Sequence, residues 1–181
     1  MVKIPTMFIR DDSVKGHPVT DQITPGCEWV LAGEGIATVK LDGTNVKIEG
    51  GVLFKRQKPK DREYDAASYA MCRRDDPSDR WAFEAFDRLL AMGEAQDGVY
   101  ELCGPKVNGN PNRLFEHVMR RVVPPHDFLI IPEDHIRNFG FDGLRDYLSR
   151  EQIEGIVFHH PDGRFAKIKR RDFGLPWPAS C

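Results

Sequence analysis

Apolar and polar positions alternate with a period of two over much of this chain, and glycine and proline cut the alternation into short runs. Ile36 to Leu41 reads as a strand, Asp42-Gly43 as a turn, Val46 to Glu49 as a second strand, Gly50-Gly51 as a tight turn and Val52 to Gln57 as a third. This stretch predicts a meander. The period lengthens at Asp76, which stands as an N-cap with Pro77 at the first helical position; Ala82, Phe86, Leu89 and Leu90 form one apolar stripe that stops near Gly93. Asp97-Gly98 then turns the chain into a strand over Val99 to Cys103. Asp127 to Ile131 reads as a further strand, and Asp142 as the cap of a short helix to about Arg150. A hairpin closes the pattern. Ile153 to His160 and Arg164 to Arg170 flank Pro161-Asp162-Gly163, residues that suit a type I turn followed by a left-handed one.

These elements predict an antiparallel-rich α+β fold with helices on the outer sheet faces. There are no repeats, and residues 1–181 read as one domain. Pro124-Pro125 is the one candidate hinge, but only about 55 residues follow it, near the lower limit for an independent core.

Composition narrows the classes. With 40% apolar and 30% charged residues the chain should fold, and no apolar run approaches the roughly 18 residues that span a bilayer. The start, Met1-Val2-Lys3-Ile4-Pro5, lacks the apolar stretch of a secretion signal, so the expectation is a cytoplasmic protein that meets no membrane. Cys27, Cys72, Cys103 and Cys181 are scattered without a C-x-x-C pair and read as reduced thiols, not as a disulfide framework or a zinc site. His117, His126, His135 and His159-His160 show no metal-ligand spacing either, and read as ordinary core or surface histidines. The net charge of −2 is uninformative, but cations cluster in two runs: Lys55, Arg56, Lys58, Lys60 and Arg62, then Arg164, Lys167, Lys169, Arg170 and Arg171. Taken alone, either run is solvated charge on an exposed strand.

Four short segments change that weight by their order: Lys40-Leu41-Asp42-Gly43-Thr44-Asn45, Tyr100-Glu101-Leu102-Cys103-Gly104, Glu154-Gly155-Ile156-Val157 and Lys167-Ile168-Lys169. A lone Lys-x-Asp-Gly arises by chance in about 4% of chains this long. The ordered set resembles the covalent lysine nucleotidyltransferases, the superfamily of DNA ligases, RNA ligases and mRNA capping enzymes, over about residues 34 to 174. Within it, Tyr100 to Pro111 and Glu154 to His160 look most like the compact ATP-dependent 5′-to-3′ RNA ligases. The resemblance implies an ATP-grasp-like nucleotidyltransferase (adenylation) domain over 1–181, and the expectation from length is that no oligonucleotide-binding domain of the kind capping enzymes and DNA ligases carry is appended. It also implies ATP and magnesium, or manganese in its place, as cofactors, and RNA with 5′-phosphate and 3′-hydroxyl ends as partner. Oligomeric state is not implied.

Carried over by motif, Lys40 is the adenylated nucleophile and Lys167 and Lys169 hold the phosphate. Asn45, Arg56 and Glu101 belong to nucleotide binding, Glu101 as a ligand of the ribose, while Asp42 and Glu154 serve the metal. The chemistry suits these residue types. An amine with a pKa of ~10.4 is less than ~1% deprotonated near neutrality, so a nucleophilic lysine needs neighbouring cations or desolvation. Lys167, Lys169, Arg56 and a metal would supply that field, and the same charges would stabilise the negative charge growing on the α-phosphate. Lys167 and Lys169, two apart on a strand, share a face.

Several alternatives stay open at this level. Asp42 either serves magnesium or caps its turn, and the loop Lys106 to Arg113 either contacts phosphate and RNA or merely connects. Phe128 is the candidate for stacking on adenine, against an ordinary core role. With no second domain to orient pyrophosphate, Arg10, Lys47 and Lys55 are the stand-ins. A three-residue hairpin loop puts Lys169 opposite Gly155 and Lys167 opposite Val157, which turns Glu154 away unless a bulge restores it. Competing functions are a capping-type or DNA-ligase-type enzyme, a nucleotide-sensing module, and an enzyme that adenylates proteins.

Overall fold

A computed structural model describes residues 4–57, 68–123, 125, 129–136 and 138–178. Lys58, Lys60, Arg62, Pro124, His126, Phe128 and Cys181, singled out above, lie outside the described residues. In chain order the strands and helices are β1 (Phe8–Arg10), β2 (Val19–Ile23), α1 (Glu28–Leu31), β3 (Ile36–Lys40), β4 (Thr44–Glu49), β5 (Val52–Gln57), β6 (Ser68–Met71), α2 (Arg80–Met92), β7 (Gly98–Cys103), β8 (Val118–Val123), α3 (Phe141–Arg150), β9 (Gly155–His159) and β10 (Phe165–Lys169). The described residues thus form an α+β protein whose named sheets are antiparallel.

Two compact units divide them: Leu41–His126, and Ile4–Lys40 with Asp127–Cys181. The first holds only the last two strands of the expected meander, β4 and β5, in a five-stranded sheet of order β6-β5-β4-β7-β8; β3, expected to lead the meander, pairs with β9 instead, because the bend at Asp42-Gly43 passes the chain from one sheet to the other rather than folding it back as a hairpin. Val46, Ile48, Leu53, Tyr100, Leu102 and Met119 alternate onto one face and bury against Ala82, Ala85, Phe86 and Leu89 of α2. Leu90, expected in that stripe, is 48% exposed, because the buried positions follow an i, i+3, i+4, i+7 spacing that ends at Leu89. Asp76 does cap, accepting from Ser78 N at 2.8 Å, but the first turn, Pro77–Asp79, is a 3-10 turn and α2 proper begins at Arg80. Gly93 ends α2 in a left-handed conformation, φ 71°, as its position suggested. Strands β6 and β8 carried too weak a pattern to be anticipated.

In the second unit, β3, β9 and β10 form a sheet in the order β10-β9-β3. Ala37, Ile156, Phe158, Ala166 and Ile168 line its buried face against Leu144, Tyr147 and Leu148 of α3. Phe8, Phe141 and Phe173 pack edge to face in the same core. Asp142 does not cap α3: Gly140 occupies the N-cap and Asp142 sits in the first turn, paired with Arg145. The strand expected at Asp127 to Ile131 reduces, among its described residues, to a single bridge of Ile130 with Thr38 and a bond from Ile131 N to Ala37 O.

Candidate active site

The eight residues proposed from sequence fall into two groups of four, one on or next to the strands of each sheet. On the three-stranded sheet, β3 and β10 both pair with β9, so that Lys40 and Lys169 lie on either side of Gly155 and Thr38 and Lys167 on either side of Val157. Alternation then places Lys40, Lys167 and Lys169 on the face away from the core. Gly155 is required by space: a Cβ there would come within 2.2 Å of Ile168 O and 2.8 Å of Lys169 Cα.

The hairpin register is the expected one, and no bulge is needed to bring Glu154 in. Glu154 precedes β9, where alternation no longer dictates side-chain direction, and its carboxylate forms an ion pair with Lys40 Nζ. Both side chains are largely enclosed, 23% exposed for Lys40 and 13% for Glu154. Its carbonyl accepts from Arg170 N at 2.9 Å, which ties the segment to the end of β10.

Two further groups shape this face, and neither was anticipated. Asp172, 1% exposed, accepts from Lys169 N at 2.9 Å and from Arg10 Nη2 at 2.5 Å, with Lys169 Nζ 3.8 Å away. Thr38, buried, donates to Val157 O and meets His159 Nε2 at 2.9 Å; burial pushes the His159 imidazole down to about 4. A Lys-x-Lys-x-x-Asp spacing was the available signal for Asp172. The rest of the second basic run is occupied elsewhere. Arg170 is buried and caps the end of α3 through Leu148 O and Glu151 O, Arg171 donates to Trp177 O, and Arg164 pairs with Asp162.

On the five-stranded sheet three of the other group, Asn45, Arg56 and Glu101, lie in a row. Arg120 opposes Glu101, Glu101 opposes Asn45, and Arg56 opposes Tyr69; continuing the Val46–Lys55 register by one step sets Asn45 beside Arg56. Arg120, Glu101, Asn45, Arg56 and Tyr69 therefore cross the sheet on the face away from α2. Tyr69 and Arg120 were missed because their strands were. Tyr69 Oη donates to Asn45 Oδ1 at 2.6 Å, and Lys47 lies over the Tyr69 ring at 5.9 Å. Burial raises the Tyr69 phenol, partly offset by Arg56 and Lys47. Asp42 Oδ1 accepts from Asn108 Nδ2 at 2.9 Å. Gly43 is demanded by packing, since a Cβ would meet Leu102 O at 2.3 Å and Cys103 Sγ at 2.8 Å.

Lys55 turns to the core face, where it binds buried Asp79 at 2.6 Å and Asp76 at 3.3 Å; the Asp79 hydrogen bond raises its pKa. That removes it as a pyrophosphate ligand, and Lys47 is paired with Glu49 at 2.5 Å. Among the described residues no group of three or more His, Cys, Asp or Glu converges on a metal position. His117 is buried against Trp81 and Glu84, His160 pairs with Glu34 and Asp162, and Cys27, Cys72 and Cys103 are buried free thiols. Burial lifts Cys72 to about 11. No helix among the described residues is long and apolar enough to cross a membrane.

Fold and site together define an antiparallel α+β protein that lines three lysines on one sheet face beside a carboxylate. The model of the RNA ligase 1 family matches residues 66–180, a range that holds Glu101, Glu154, Lys167 and Lys169. Similar curated proteins include RNA ligase 1 of Mus musculus, 28% identical over 97% of this chain and 48% of the relative. Others are those of Rattus norvegicus, 35% identical over 49% of this chain and 28% of the relative, and Danio rerio, 33% over 50% and 29%. The chain belongs to the RNA ligase 1 family. It spans less than half the length of these relatives.

Proposed function

We propose that this chain is an ATP-dependent RNA ligase whose residues 1–181 act as one nucleotidyltransferase (adenylation) domain. The observation that carries the reading is the row Lys40-Gly155-Lys169, with Lys167 on the same face and Glu154 on the Lys40 amine. In the first step Lys40 Nζ attacks the α-phosphorus of ATP, the bond to the β-phosphate oxygen breaks, pyrophosphate leaves, and a lysyl-AMP forms. An amine attacks only without its proton, and the Lys40–Glu154 ion pair supports Glu154 as the group that receives it in this reading. Lys167 and Lys169 stabilise the charge gathering on the phosphate. In the later steps the RNA 5′-phosphate oxygen attacks the adenylate and releases Lys40, and a 3′-hydroxyl displaces AMP to make the phosphodiester.

Asn45, Arg56 and Glu101 take the nucleotide, with Glu101 accepting from a ribose hydroxyl. For magnesium the carboxylates assigned are Asp42 and Glu154, each a donor of the kind it takes while keeping water for its other positions. When bound it would add positive charge at the phosphates. The expected setting is the cytoplasm.

The test is intact-mass measurement after incubation with ATP and magnesium, then with 5′-phosphorylated RNA or DNA of one sequence. The mass should rise by one AMP, Lys40→Ala should abolish the adduct while keeping the fold, and RNA should be joined in preference to DNA. An adduct that persists in Lys40→Ala places the nucleophile elsewhere. An adduct that passes to neither polynucleotide moves the reading to protein modification or nucleotide sensing.

A further inference from the structure

The loop between β7 and β8, Gly104 to His117, does more than connect two strands. Asn108 Nδ2 donates both to Asp42 Oδ1 at 2.9 Å and to Gly43 O at 2.7 Å. Both partners are acceptors, which settles which end of the carboxamide faces them. Asn112 Nδ2 adds a bond to Asp42 O at 3.3 Å. The turn that follows Lys40 by two and three residues is thereby held from one loop by two asparagines.

The loop is shaped for that task. Asn108, Gly109, Asn110 and Arg113 all have left-handed backbone, with φ of 48°, 75°, 56° and 51°. Side chains adopt that region at a cost, asparagine least among the larger ones, and such residues persist where surrounding contacts hold them. The contacts are present. Asn110 exchanges hydrogen bonds with Leu114 N and O, both at 2.9 Å. His117 Nε2 accepts from Lys106 N at 3.3 Å, leaving Nδ1–H for Glu84 Oε1 at 3.0 Å, and the ring stacks on Trp81 with centroids 4.5 Å apart. Gly104 admits no Cβ, which would meet His117 Cδ2 at 2.5 Å.

We propose that Asn108 is a positioning residue for the adenylation step, acting through Asp42. This rests on the function proposed above. A neutral amide orients the Asp42 carboxylate and the Gly43 carbonyl without cancelling the carboxylate charge, as a lysine or arginine in its place would. Partners of this kind, one step behind a metal-binding or catalytic carboxylate, typically change affinity or activity by ~10 to 100-fold when removed.

Asn108→Gly keeps the left-handed backbone while deleting the carboxamide, so it separates the hydrogen bonds from loop strain. In single-turnover adenylation of the full chain it should react about 10-fold more slowly at saturating ATP, need several-fold more magnesium, and bind ATP within about 2-fold of wild type. Its melting temperature should stay near the wild-type value. Asn108→Asp, close in shape and tolerant of the same φ, sets a second carboxylate against Asp42 and should lose about 100-fold. In an Asp42→Ala background Asn108→Gly should add almost nothing, an outcome that a general folding role would not produce. Either Asn108 variant reacting at the wild-type rate overturns the assignment, as does an undiminished effect in the Asp42→Ala background. A wild-type chain that forms no adduct overturns the ligase reading itself, and the role of Asn108 with it.

Discussion

The faces that the two sheets turn away from their own cores are built by one device and carry opposite kinds of charge pattern. On the three-stranded sheet, strand pairing gathers three lysines of one sign, and carboxylates from outside the strands meet two of them, Glu154 at Lys40 and Asp172 at Lys169. On the five-stranded sheet the row Arg120-Glu101-Asn45-Arg56-Tyr69 interleaves cation, anion and amide, so cross-strand neighbours satisfy one another. A like-charged face is costly unless an anion covers it, which suits phosphate. A mixed row offers donors and acceptors at fixed spacing, which suits hydroxyls and base edges. The contrast holds for single residues too: Lys40 and Lys55 are both strand lysines bonded to carboxylates, yet Lys55 faces a helix and a buried aspartate, while Lys40 stands on the face away from a core.

The largest effects should come from the like-charged face. Lys167→Ala and Lys169→Ala are each expected to slow adenylation by ~100-fold or more with ATP still bound, measured by single-turnover kinetics. Wild-type rates in both would strip the lysine face of its phosphate role. Glu101→Ala should act more gently, shrinking the preference for ATP over dATP by about 10-fold, since one hydrogen bond to a charged group is removed. An unchanged ratio would assign Glu101 to its neighbour Arg120 instead.

The smallest expected effect is on stability. His159 lies on the lysine face with its imidazole lowered from 6.5 to about 4 by burial. Between those values the unfolded chain binds the proton and the folded chain does not, so stability is lost as pH falls from 6.5 towards 4. Thermal melts at pH 7 and pH 4.5 should show a drop that is smaller by a few degrees in His159→Gln. A drop of the same size in both proteins would mean that this imidazole carries no linked proton.

Much of the candidate site was legible because it rests on local rules. A period of two places Lys167 and Lys169 together, a three-residue loop fixes Lys169 against Gly155, and a glycine after the last apolar turn ends α2. Glu154 was misjudged because alternation was extended one residue past the strand, and the internal partners of Arg164, Arg170 and Arg171 were not legible because charge in a sequence does not say which carbonyl or carboxylate awaits it.

What the chain determines by itself, then, is the local period, the turns and the hairpin register, all set by sterics and neighbours a few residues away. Tertiary structure alone decided that β3 joins β9, bringing Lys40 level with Lys169 across more than a hundred residues of sequence. It likewise sent Lys55 to Asp79 and Arg170 to the end of α3, and set Asn108 on the Asp42-Gly43 turn. Such pairings depend on which buried faces close against each other, and burial of a whole face is a property of the assembled core that no short window of sequence contains.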